Sequence, residues 1–232
     1  MRASKTAAAL LVGALTATVV WGGIMVEHSA GDADALAEAR EQGAAEAVKP
    51  VLDRPIPEGN SMPLWLQDDP QWSDYPYAGG TIGEKGCGLV CAAMAVKYMT
   101  VQDVTPPMLA DAVGDSCITD GVNDPGKFCD WIAAHYPEYG IEHTGILYRL
   151  DDALAQVDAG WLAFAGMSGT LGERDYGGHV VMIWRGEGGT YWIRDPASGA
   201  NSQRAWTREE LEGVGWKYFY AIRGGLYGTS GN

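Results

Sequence analysis

The run Cys87-Gly-Leu-Val-Cys-Ala-Ala-Met-Ala-Val-Lys-Tyr-Met99 is apolar on every side except at Lys97. A helix without a polar face has to be surrounded by protein, so a chain that carries one folds as a domain with that helix through its middle. The chain has 232 residues, of which 47% are hydrophobic and 20% charged, enough for one such domain of roughly 150 to 200 residues. Cys87 stands at the N-terminal end of the helix, between Gly86 and Gly88.

Other elements follow from caps and periodicity. A second helix is expected from Thr105 as cap with Pro106 in the first turn. A third starts at Asp124 and Pro125 and puts Phe128, Trp131 and Ile132 on one face, and a fourth covers residues 150–159 and stops at Gly160. The character then changes: residues 161–165, 179–184, 190–194 and 216–222 are short strand-like runs between Gly-rich turns. Thr207 with Glu210 three residues on predicts a capped short helix between the last two strands. Helices first and a mostly antiparallel sheet second define an α+β class.

A thiol is a good nucleophile only as thiolate, and a helix N-terminus favours that anion through its unpaired N–H groups and macrodipole. The glycines beside Cys87 would let backbone and substrate approach the sulfur. A cysteine in an apolar helix is more often a small core residue, and Cys91, one turn on, is read that way. Residues 177–196 form a hairpin; with Glu187 at its centre, His179 faces Asp195 across the ladder. A carboxylate beside an imidazole fixes its tautomer and stabilises its charged form, as a base for a thiol requires. Taken alone, the same pair also reads as a strand-end histidine and a turn-forming aspartate before Pro196.

Four segments together resemble the C39-like cysteine peptidases of the papain-like superfamily. They are Leu66-Gln67-Asp68-Asp69-Pro70-Gln71-Trp72, Ile82-Gly-Glu-Lys-Gly-Cys87-Gly-Leu-Val-Cys-Ala-Ala-Met94, Gly178-His179-Val-Val181 and Asp195-Pro196. The resemblance spans Pro63 to about Gly224 and implies a papain-like fold, with the nucleophile at a helix N-terminus packed on the sheet. It implies Cys87 as nucleophile, His179 as base, Asp195 as its orienting partner and Gln67 as an oxyanion donor, with Gln71 the competing glutamine. Gly86 departs from the Asp that precedes the cysteine in peptidase domains of bacteriocin exporters, and Leu89 from the Pro of many stand-alone relatives. The implied reaction is hydrolysis of a peptide bond in a peptide or protein substrate, without metal, cofactor or nucleotide; the sequence has no Gly-x-x-x-x-Gly-Lys-Ser/Thr motif. The alternatives are a cell-wall amidase or transpeptidase working through the same thioester, or a catalytically silent peptide-binding module.

Arg2 and Lys5 precede an uncharged apolar stretch over residues 6–26, so residues 1–26 read as a signal peptide or transmembrane anchor. The stretch is long enough to cross a bilayer, which favours an anchor with the domain extracytoplasmic over secretion after cleavage near Ala33-Asp34-Ala35. Residues 27–61 are an acidic, Pro-containing linker, 62–226 the peptidase domain and 227–232 a tail. The net charge is −14, and Arg2 and Lys5 are the only charges before Glu27, which leaves 14 basic against 30 acidic residues beyond it, or −16. Such a field repels phosphate and argues against nucleic acid as a partner.

Cys117 and Cys129 flank a loop and are candidates for a disulfide in an oxidising exterior, the alternative being two reduced buried thiols. The four cysteines lack the spacing of a zinc site. His28, His135 and His143 read as solvated or structural. Trp65, Trp72, Tyr75 and Tyr77 pack the domain edge or line a groove, and the Gly-rich residues 166–178 are a candidate mobile lid.

Overall fold

The all-apolar run is the helix around which the rest is arranged. The computed structural model describes residues 62–100 and 102–224. The expected anchor or signal segment, the linker with His28 and the tail lie outside the described residues. Among the described residues, no helix is long and apolar enough to cross a membrane.

In chain order the hairpin β1 (Pro76–Tyr77) and β2 (Gly80–Thr81) leads into the one-turn helix α1 (Ile82–Lys85) and then the central helix α2 (Cys87–Thr100). Helix α3 (Pro106–Val113), the hairpin β3 (Ile118–Thr119) and β4 (Val122–Asn123), and helix α4 (Pro125–His135) follow. After β5 (Glu142–His143) and α5 (Leu150–Asp158) come the long strands β6 (Leu162–Leu171) and β7 (Arg174–Arg185), then β8 (Tyr191–Arg194). Helix α6 (Gly199–Ser202), β9 (Ala205–Trp206), α7 (Arg208–Glu212) and β10 (Trp216–Arg223) follow within the described residues. The main sheet has six strands in the order β5-β10-β6-β7-β8-β9, every pair antiparallel, so the class is α+β as expected.

Helices cover both faces of this sheet. Phe164, Val180, Met182 and Trp184 pack against α2 and its neighbours, whereas Ala163, Ala165, Val181 and Ile183 pack against Ala153, Leu154 and Val157 of α5. The alternation of β6 and β7 thus feeds two cores, which is why both strands read as continuous apolar runs. Helix α2 is buried at every position from Gly88 to Thr100 except Lys97, whose ammonium reaches Asp103 at 2.6 Å. Asp124 accepts from the N–H groups of Gly126 and Lys127, and Thr207 and Glu210 form a capping box, whereas Thr105 stands at the N-cap of α3 without a side-chain cap hydrogen bond.

Three expectations are corrected. The hairpin between β7 and β8 is centred on Gly188, not Glu187: Met182 pairs with Arg194 and Ile183 with Ile193. Gly188 and Gly189 take φ of 60° and 79°, and this loop of two left-handed residues shifts the centre by one position. Residues 166–178 are not a loose lid but most of the β6–β7 hairpin, paired out to Leu171 and Arg174. All four cysteines are unbonded, so Cys117 and Cys129 are two free, buried thiols.

The first described residues are tied to the sheet by a buried cation. The Arg194 guanidinium donates to the carbonyls of Met62, Pro63 and Ser202 at 2.6–3.1 Å and stacks over the Trp184 ring at 4.8 Å. Burial pulls its pKa down to about 10, which leaves it charged at neutral pH. Arg194→Met is expected to lower the unfolding free energy by about 3 kcal/mol, because it strands buried carbonyls. Urea titration checks this: the midpoint falls at constant slope, and an unchanged midpoint would show that Arg194 does not hold Met62 and Pro63 in place.

Candidate active site

His179 lies near the point where β7 leaves regular pairing with β6. Its Nε2 bonds Asp195 Oδ1 at 2.7 Å, and the two side chains are 4% and 0% exposed. On the corrected register Asp195 continues opposite Val181, so His179 is its diagonal neighbour rather than its facing partner. The expected pair therefore forms, although the expected register does not.

The Asp195 carboxylate accepts four hydrogen bonds. Oδ1 takes His179 Nε2 and the Ala197 N–H at 2.9 Å; Oδ2 takes the Tyr176 hydroxyl at 2.6 Å and Asn201 Nδ2 at 2.8 Å. Both oxygens are saturated, so a proton on Asp195 would have to displace a donor. Burial opposes ionisation, but the bond and charge of His179, with the Tyr176 and Asn201 donors, hold the pKa below the usual carboxylate range. Ser202 Oγ fixes the turn by accepting from the Asp195 N–H at 2.8 Å.

Tyr176 and Asn201 were not singled out in the sequence. The Tyr176 ring stacks on His179 at 4.2 Å with 3° between planes. Three residues apart on a strand, these rings would point to opposite faces. Between the pairs Met167–His179 and Gly169–Tyr176, however, β7 has one residue more than β6, and this bulge at Gly177-Gly178 brings both rings to one side.

Cys87 opens α2, and the first helical bond after it runs from the Val90 N–H to the Gly86 carbonyl at 2.8 Å. The preceding N–H groups of the first turn, including that of Cys87, have no helical acceptor. Cys87 is the one thiol of the four that is not buried; Cys91 donates to the Val180 carbonyl at 3.4 Å inside the core. The flanking glycines serve the protein's own packing: a Cβ on Gly86 would lie 2.4 Å from the Ile82 carbonyl oxygen, and one on Gly88 would lie 2.5 Å from Asn123 Cβ.

Asp195 holds Nε2 of the ring, and the Cys87 sulfur lies near enough to bear on the ring's charge. Burial, the largest influence, acts to lower the His179 pKa, but the interactions with Asp195 and Cys87 outweigh it and raise the value to about 9. The constellation thus favours an imidazolium between a thiol and a carboxylate.

Gln67 is strapped between the two halves of the site: its N–H donates to the Pro196 carbonyl at 2.7 Å and its Nε2 to the Gly83 carbonyl at 2.6 Å. A carbonyl only accepts, so the amide orientation is fixed with Nε2 toward Gly83. Its second N–H has no acceptor among the described residues, and Oε1 is buried without a partner. Gln71 is exposed and turned onto its neighbour Asp69. His135 stacks on Trp131 at 3.9 Å and His143 pairs with Asp130 at 3.1 Å, both structural. Trp72 and Tyr77 are buried in the core around α2, and Trp65 packs edge-on against Trp72. Among the described residues no cluster of side chains is arranged to hold a metal ion.

No protein-family model matches the chain, and no curated protein does. Among solved structures it is similar to one described as a "putative C39-like peptidase from Bacillus anthracis", with 16% identity, 71% of this chain and 96% of that chain covered, and a TM-score of 0.45. At that identity and score the likeness assigns no reaction.

The raised His179 pKa has a consequence for stability. The unfolded value is near 6.5 and the folded value near 9, so the stabilisation is fully present below about pH 6.5 and is lost as pH rises through 9. Urea unfolding between pH 6 and pH 9.5 is expected to show a decline on the order of 1–3 kcal/mol, much reduced in Asp195→Asn. Equal pH slopes in the two proteins would contradict the assigned pairing.

Proposed function

We propose that this domain is a cysteine peptidase of the C39-like, papain-like type that cleaves peptide bonds through a thioester on Cys87. The observation that carries this reading is the His179 ring held at 2.7 Å by a buried, four-donor carboxylate, near the partly exposed Cys87 thiol that opens the central helix. The Cys87 thiolate attacks the substrate carbonyl carbon, forming the S–C bond while the carbonyl π pair moves to oxygen. The Cys87 N–H and the second N–H of Gln67 Nε2 serve that oxyanion. As the oxyanion collapses, the C–N bond breaks and the amine leaves with the proton from His179. Water, deprotonated by the same ring, then attacks the thioester, and the acid leaves as the thiolate returns.

The substrate is a peptide or protein. The uncharged apolar stretch behind Arg2 and Lys5 supports an extracytoplasmic domain on a membrane anchor, with secretion after cleavage as the alternative. Membrane fractionation followed by protease added from outside checks this: an anchored, accessible domain is expected, and a protected one would refute the topology.

Cys87→Ala is expected to abolish turnover, whereas Cys91→Ala lowers stability by about 1–2 kcal/mol and leaves a working site. Peptide hydrolysis assays and thermal melts measure the two effects, and turnover by Cys87→Ala would sink the proposal. For Gln67→Ala, kcat is expected to fall about 10²- to 10³-fold while Cys87 still reacts with small alkylating agents. Unchanged kcat would exclude Gln67 from the oxyanion site. Product analysis with an added amine acceptor separates hydrolysis from transfer.

A further inference from the structure

A second side chain, besides His179, approaches the Cys87 sulfur. Asn123, at the end of the β3–β4 hairpin, places Nδ2 2.6 Å from the Lys85 carbonyl oxygen and 3.7 Å from Cys87 Sγ, while its Oδ1 accepts from the Tyr77 hydroxyl at 2.8 Å. The orientation of this amide follows from its partners. The Lys85 carbonyl can only accept, so the atom facing it is the nitrogen, and the group turned toward the sulfur is an N–H donor.

We infer that Asn123 is a catalytic residue whose amide donates to the Cys87 thiolate and sets how readily that sulfur ionises. This inference rests on Cys87 being the nucleophile. An N–H donor at this distance stabilises the anion more than the neutral thiol, because a charge-assisted bond is the stronger one. The amide is held in place before any substrate arrives, since Tyr77 and Lys85 bind both its ends and Gly88 leaves the space its Cβ occupies.

The titratable groups around the sulfur are His179 on β7, Tyr77 on β1, Tyr218 on β10 and Cys91 on α2 itself. Burial keeps Tyr77, Tyr218 and Cys91 neutral through the neutral pH range. His179 is thus the cation that faces Cys87, and Asn123 is a donor that carries no titration of its own. A change at Asn123 is therefore readable in the pH dependence of sulfur reactivity without removing the base.

The test is the rate of iodoacetamide alkylation of Cys87 from pH 5 to 9.5, read by intact mass in the full chain. In Asn123→Ala the rate at pH 6 is expected to fall about tenfold, while the rates at pH 9.5 converge. Asn123→Asp falls further, because a carboxylate replaces the donor. Tyr77→Phe, whose missing hydroxyl held Asn123 rather than the sulfur, shows a smaller loss in the same direction and serves if a position 123 variant does not fold. A merely structural Asn123 would lower the melting temperature and leave the pH profile of the folded protein unmoved. Profiles superimposable on wild type overturn the inference. Peptide hydrolysis by Cys87→Ala would instead remove the functional reading on which the inference rests.

Discussion

The site depends on one buried anion. Asp195 is fully enclosed, and an ionised carboxylate in such a place persists only if donors replace the water it has lost. The four donors come from separate pieces of chain: His179 and Tyr176 from either side of the β7 bulge, Ala197 from the turn after β8, and Asn201 from α6. Arg194, beside it in sequence, anchors the Met62, Pro63 and Ser202 carbonyls, so the aspartate sits where distant parts of the fold are tied together. With the anion in place, the imidazole gains its proton and its orientation in one step.

The thiol end is built by packing instead. Helix α2 is held on all sides by apolar contacts, which makes its first residue a fixed point. Close approach at Gly86 and Gly88 brings the end of α1 and the β3–β4 hairpin against the sulfur, so on that side the surroundings of Cys87 are backbone and amide. Gln67, bonded to Gly83 on one side and Pro196 on the other, bridges this packed half and the hydrogen-bonded half.

Much of this is legible in the residues, because the central helix and the capped starts of α4 and α7 depend on local chemistry. Cys87 and Asp195 are legible for a related reason: each sits at or just beyond the end of an element whose pattern is clear. What the sequence hides is set by single-residue geometry. Two left-handed glycines move the β7–β8 register, and the Gly177-Gly178 bulge conceals Tyr176 by reversing the side on which it lies. Asn201 is masked by a helix of one turn. Asn123 has a local signal, the Asp120-Gly121 pair with φ of 52° and 76°, which marks a tight hairpin turn; its strands of two residues are too short to show alternation. Spacing does not settle Cys117 and Cys129, since bridging depends on how the two sulfurs face each other.

If His179, charged and aimed by Asp195, activates Cys87, the effect is read most directly in the alkylation rate of Cys87 at pH 6, compared between the wild-type chain and His179→Ala. Intact mass and peptide mapping locate the label among the four cysteines. A single fast label at Cys87 is expected in the wild type, with a rate at least about tenfold lower in the variant. Equal rates in the two proteins, or a first label on Cys91, Cys117 or Cys129, would contradict the activation of Cys87 by His179.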